Sequence, residues 1–250
     1  MTDRRNGSAA SPRTFSEKFI AESRAIEPDV RRRYYVVAAT LAILGAGLFV
    51  TILIQVVTKG ALTAIDPSIE NGLHAWRSSG LTVAMAVVAT VSGPIVLPII
   101  VLVLVVTWAF VAKHAWRPLL LAGGMLMGVI LAYTFELLVG RTRPPVNFML
   151  LGTDKTFSFP SGHVLGACNF MLIGVYLIYS RRHKSGEAIL GFIVAFVVIA
   201  AVATCRVYLG YHWPTDVLAS VCLSLVVLGT VIAVDTRRTT RITPRAPVLD

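Results

Sequence analysis

Charge is scarce in this sequence. Asp, Glu, Lys and Arg together make up 14% of its 250 residues, against about 25% in ordinary soluble domains, and the mean hydropathy is +0.74. That shortage excludes a surface built for water. Cysteine is rarer still: there are three, with neither the spacing of a zinc site nor that of a disulfide framework. Cys168 and Cys222 fall inside apolar runs and read as packing residues. The segments between the runs hold no cluster of carboxylates suited to a two-metal centre, so no metal and no cofactor is expected. A net charge of +10 could suggest nucleic acid, but no basic stripe is interleaved with aromatics, and nucleic acid is not an expected partner. Residues 1–33 contain no short apolar stretch followed by a cleavage site, so a signal peptide is not expected.

What is abundant is apolar sequence, 56% of the chain, gathered into runs at 36–57, 81–112, 119–138, 164–179, 188–204 and 217–234. About 20 such residues cross a bilayer as a helix. The 81–112 run is too long for one upright crossing, and Gly93-Pro94 breaks it, because proline disfavours helix at the residue before it. The expectation is an all-α fold, a bundle of six transmembrane helices with an additional interfacial or buried helix (81–92) before the second span (95–112). Three parts follow: a polar N-terminal tail (1–33), read as a solvated leader or, over 15–33, as a helix on the membrane surface, a six-span domain (34–234), and a basic C-terminal tail (235–250).

Six spans leave both termini on one side. If that side is the cytoplasm, all but six of the 23 lysines and arginines lie there, as the positive-inside rule requires. The exceptions are Lys59, Arg77, Arg141, Arg143, Lys155 and Arg206. Four of them flank spans three to six on the outer side, where an anionic ligand is the simple reason for positive charge. The expected location is therefore a plasma membrane, multi-pass, with both termini cytoplasmic and the site on the extracytoplasmic face.

Three short motifs meet at that face. The first is Arg141-Thr142-Arg143-Pro144-Pro145. A guanidinium fork matches phosphate oxygens in pairs, although an arginine here could simply snorkel to headgroups. The second is Phe159-Pro160-Ser161-Gly162-His163. Ser161 suits a helix N-cap, and the free amides at a helix start form an anion site with His163 at its mouth. The third runs from Cys205-Arg206 to His212-Trp213-Pro214-Thr215-Asp216. His212 and Asp216, four apart, can meet at a helix entry. The carboxylate can then fix the imidazole tautomer and leave the other nitrogen as a nucleophile; alternatively, Asp216 only caps the helix.

In this order, over roughly residues 60–234, the motifs resemble those of the type 2 phosphatidic acid phosphatase superfamily. The resemblance implies a six-span lipid phosphatase in which His212 attacks phosphorus to form a phosphohistidine, supported by Asp216. His163 protonates the leaving oxygen. Arg143, Arg206, Ser161 and the Gly162 backbone hold the phosphoryl oxygens. Two positions depart from the family pattern. Cys205 stands where the family has serine. Glu136 stands where it has lysine, seven residues before Arg143; Glu136 either orients Arg141 or Arg143 or merely snorkels, and Arg141 or Lys155 is then the candidate replacement cation. The expected substrate is a lipid phosphate monoester or diphosphate, such as phosphatidic acid, phosphatidylglycerol phosphate or undecaprenyl diphosphate. A phosphotransferase using the same intermediate, and a non-catalytic lipid-binding or lipid-moving protein on the same fold, are the alternatives. The sequence does not specify an oligomeric state.

Overall fold

Apolar segments in hydrocarbon must pair every backbone group internally, and a helix does so within one segment. The computed structural model describes residues 24–112, 114–181 and 185–242. Among these, α1 (Pro28–Val57), α6 (Trp116–Val139), α7 (Gly162–Tyr179), α8 (Ser185–Tyr208) and α9 (Pro214–Thr239) are each long and apolar enough to cross a membrane. The chain is a multi-pass membrane protein built from a helical bundle. α4 (Ser79–Val91) and α5 (Val96–Val111) are bent by 49° across a short break and are long and apolar enough to cross only when taken together as one broken span. The break contains Gly93-Pro94, where proline restricts the preceding residue.

α9 is the central element. Its inward residues run from Thr215 to Thr239, and it packs on α1, α7 and α6. Proline stands in its first turn, and the Asp216 carboxylate accepts the Trp213 N–H (2.9 Å) to cap it. α1 answers with a single buried face, Ala38, Gly45, Phe49, Ile52 and Val56, at the three- and four-residue spacing of a helix. The other faces of α1 and α5 expose Ile43, Leu44, Leu102 and Val103 to the lipid.

The structure adds features that hydropathy does not foretell. Charged residues do not end a helix, so α1 begins at Pro28 rather than near 36 and carries Arg31–Arg33 in its first turns, and α9 runs to Thr239 rather than 234. Of the surface helix expected over 15–33, residues 15–23 lie outside the described residues. Arg24–Ile26 instead forms a strand, β1, paired in parallel with β2 (Thr240–Ile242), and Pro28 to Arg33 belong to α1. On the opposite side, the segment after α1 folds into α2 (Ala61–Ala64) and α3 (Asp66–His74). Arg77, one of the six exceptional cations, is structural: it donates to the carbonyls of Tyr208 (2.6 Å) and Phe148 (2.8 Å), tying the end of α8 to the loop after α6.

Candidate active site

The loops between α6 and α7 and between α8 and α9 converge with the start of α7, and the three motifs come together there. His212 is 2% exposed. Its Nδ1 lies 2.7 Å from the Ser158 carbonyl, an acceptor only, so Nδ1 carries the proton and donates. Nε2 is left with its lone pair, and Arg143 Nη1 stands 3.1 Å from it. Sequence spacing offers Asp216 either as the group that fixes the tautomer or as a helix cap, and it does cap α9 through the Trp213 N–H. The structure assigns the direct hydrogen bond to Ser158, with Asp216 Oδ2 farther away at 3.7 Å. Burial, and then the charges of Arg206 and Arg143, push His212 well below the ordinary imidazole value of 6.5. A neutral imidazole unprotonated at Nε2 is the nucleophilic form, and here that nitrogen accepts a hydrogen bond from Arg143 Nη1.

Arg143 is held from several sides. It donates to the Thr156 carbonyl (3.1 Å), the Thr156 hydroxyl (2.7 Å) and the Tyr211 carbonyl (2.8 Å), and pairs with Asp154 (3.0 Å). Arg206 is buried, with its guanidinium 4.7 Å from the Tyr211 ring centroid and its Nε without a partner. Ser161 stands at the N-cap position of α7, as expected, but makes no capping bond with its side chain. Its hydroxyl is buried and unpartnered as well. Unsatisfied buried polar groups are costly and call for a partner; Arg206 Nε and the Ser161 hydroxyl are two such groups, and Arg206 lies within electrostatic reach of His212. His163, second residue of α7, lies within electrostatic reach of Arg206, His212 and Arg143. A cavity of about 380 Å³ runs from His163 and Gly162 between α5, α6 and α7, and its walls are mostly apolar.

Three expectations need correction. Arg141 does not replace a missing phosphate cation. Its guanidinium is committed to two buried carboxylates, Asp66 (2.7 Å) and Asp216 (2.5 Å). Lys155 is exposed on the loop and is not drawn in by any contact. Glu136 makes no hydrogen bond or ion pair among the described residues, so it does not clasp either arginine. It lines the cavity with His163 and acts on Arg143 only through its charge. Cys205 donates to the Met85 carbonyl (3.0 Å) and packs under α4. Among the described residues no group of His, Cys, Asp and Glu is arranged to hold a metal ion.

Several residues of the site were not anticipated: Ser158, Thr156, Asp154 and above all Asp66. Thr156 and Asp154 belong to a loop whose shape the sequence does not specify. Asp66-Pro67 reads as an ordinary helix start and carries no signal of a partner 75 residues away.

A sequence model of the PAP2 superfamily matches residues 117–240. Phosphatidylglycerophosphatase B of Bacillus subtilis (strain 168) is 29% identical over 180 residues, 71% of this chain and 87% of that protein. The Escherichia coli (strain K12) protein of the same name is 35% identical over 71 residues, 28% of this chain and 26% of that protein. The crystal structure of a transmembrane PAP2 type phosphatidylglycerolphosphate phosphatase from Bacillus subtilis superposes with a TM-score of 0.68 at 26% identity, over 78% of this chain and 96% of that one.

Proposed function

From the match of residues 117–240 to the PAP2 superfamily and the likeness to phosphatidylglycerophosphatase B, we propose a membrane lipid phosphatase that hydrolyses a phosphate monoester at the extracytoplasmic face through a phosphohistidine. The observation that carries this reading is His212: Nδ1–H is fixed on the Ser158 carbonyl, and the Nε2 lone pair faces Arg143. Phosphoryl transfer requires an in-line nucleophile and neutralised equatorial oxygens. Arg143, Arg206, the Ser161 hydroxyl and the amides at the start of α7 supply the donors. His212 Nε2 attacks phosphorus and the bond to the lipid oxygen breaks, while His163 gives that oxygen its proton. His163 then takes a proton from water as the water oxygen attacks phosphorus, releasing inorganic phosphate and restoring His212. Guanidinium groups and helix amides neutralise the phosphoryl charge without a metal ion.

The relatives named for phosphatidylglycerophosphate point to a glycerolipid monoester. Glu136 favours the same choice. A carboxylate in the cavity beside His163 repels a second phosphate and can accept hydrogen bonds from headgroup hydroxyls. The test is phosphate release by detergent-purified protein on phosphatidic acid, phosphatidylglycerol phosphate and undecaprenyl diphosphate, with EDTA throughout. Release from a monoester, indifferent to EDTA and abolished in His212→Ala, is the expected result, and Glu136→Lys should shift preference toward the diphosphate. Unchanged turnover by His212→Ala would sink the phosphohistidine reading, and appearance of phosphate on a second lipid instead of in solution would make the enzyme a phosphotransferase.

A further inference from the structure

Behind His212 lies a buried cluster that spacing alone does not explain. Asp216 presents Oδ2 to the imidazole at 3.7 Å and to the Trp213 amide at 2.9 Å, and its Oδ1 meets Arg141. The other arm of Arg141 reaches Asp66, 1% exposed, at 2.7 Å. Asp66 also receives the Thr215 hydroxyl at 2.6 Å and the Thr215 amide at 3.0 Å, so it grips the residue next to Asp216. Thr215 Oγ1 in turn accepts from Arg141 at 2.7 Å. Two carboxylates share one guanidinium, and this group faces the protonated nitrogen of the imidazole.

We infer that Asp66 is a positioning residue for the reaction, which offsets the charge of Arg141 and so leaves Asp216 a net anion beside His212. The inference rests on the reading of His212 as nucleophile. A bond from Nε2 to phosphorus, with the proton retained on Nδ1, turns the ring into a cation. Asp66, Arg141 and Asp216 together carry one negative charge, which that cation requires. Without Asp66, Arg141 cancels Asp216 and the cation forms beside a neutral pair. Because Asp66, Asp216 and His212 are buried and Arg141 is only partly exposed, water screens the difference poorly. Asp66 is supplied by α3, the short helix between the first two crossings, so a segment outside the three motifs completes the site.

The experiment compares wild type, Asp66→Asn, Arg141→Gln and the double variant on dioctanoyl phosphatidic acid in detergent, reading kcat, KM and Tm. Asp66→Asn should lower kcat on the order of tenfold or more and leave KM within about twofold, since the group never touches substrate. Adding Arg141→Gln removes the uncompensated cation, so the double variant should regain part of kcat even though its Tm falls further. A merely architectural clasp predicts the opposite order, the double variant being slower than Asp66→Asn, and that result overturns the inference. Should Asp66→Asn fail to fold, Asp66→Glu decides in its place: it keeps the charge on a longer arm, so kcat within a few-fold of wild type supports the charge role and a collapse overturns it. His212→Ala, run alongside, separates the two readings. Its full activity would remove the nucleophile and this inference together, whereas an inactive His212→Ala beside a fully active Asp66→Asn removes this inference alone.

Discussion

A single buried carboxyl group can set how the protein responds to pH, and Glu70 is the clearest case. It is 1% exposed, its Oε1 has no hydrogen-bond partner, and its near neighbour His74 Nε2 stands 3.7 Å away. Burial pushes its carboxyl up from 4.5 to about 7, with Arg77 opposing and Asp66 adding to the rise. The sign follows from proton linkage. Between the unfolded and folded values the native state holds the proton more tightly, so the contribution is full below about 4.5 and is lost as pH rises through about 7. His74 and His212, both shifted downward, act in the opposite sense and lose stability as pH falls. A difference between variants isolates Glu70 from them. Glu70→Gln imitates the protonated form, so it should match wild type in Tm near about pH 5 and exceed it near about pH 8. Thermal unfolding in detergent across that range measures this, and parallel curves for the two proteins would show that Glu70 does not titrate as argued.

At the scale of elements, the contact between α1 and α9 positions the chemistry, since α9 opens directly after His212 and carries Asp216. That contact depends on absent side chains. A Cβ on Gly45 would come within 2.6 Å of the Cys222 carbonyl oxygen, and one on Gly229 within 2.5 Å of the Ala38 carbonyl oxygen. Lipid supplies no hydrophobic drive between helices, so close backbone approach through small residues has to hold them together. Gly45→Leu should therefore part the helices, destabilise the protein by about 1–3 kcal/mol and lower activity along with Tm. Gly47→Leu is the control on the same helix, because nothing lies within 4 Å of a Cβ there; if it were as damaging as Gly45→Leu, loss of glycine itself and not packing would be responsible. These contacts also show what the sequence could convey. The apolar runs, the Gly93-Pro94 break and the His212 to Asp216 spacing were legible because each is local. Helix ends were not, because Arg31–Arg33 continue α1 into the headgroup region at no hydrophobic penalty. The β1–β2 pair and the Asp66–Arg141 contact join positions 216 and 75 residues apart, and no short-range pattern encodes them. Arg141 shows the difference most sharply: as a motif residue it looked like a phosphate ligand, and only its distant partner reveals it as a brace.

The whole molecule has two unlike ends. At one, β1, β2 and the ends of α1, α7 and α9 gather around Asp235, which takes hydrogen bonds from Trp116, Tyr176 and Arg181, and arginines from Arg24 to Arg241 crowd the same end. At the other, His163 and His212 sit among Arg77, Arg141, Arg143 and Arg206, each of which has a local reason to be there: carbonyls, carboxylates or the proposed phosphate site. Once those four are set aside, the remaining asymmetry of charge is strong, and basic segments stay in the cytoplasm. The positive-inside rule therefore predicts that the histidine end faces outward, with substrate bound and inorganic phosphate released on that side. All three native cysteines are buried, so single introduced cysteines can report orientation against a low background. Thr153→Cys lies on the exposed loop beside the site, and Glu27→Cys on the exposed start of α1. A membrane-impermeant maleimide applied to intact cells should label Thr153→Cys, and should label Glu27→Cys only after the membrane is permeabilised. The reverse pattern would place the histidines in the cytoplasm; the chemistry at His212 would stand, but the substrate pool and the side of phosphate release would change to the inner leaflet.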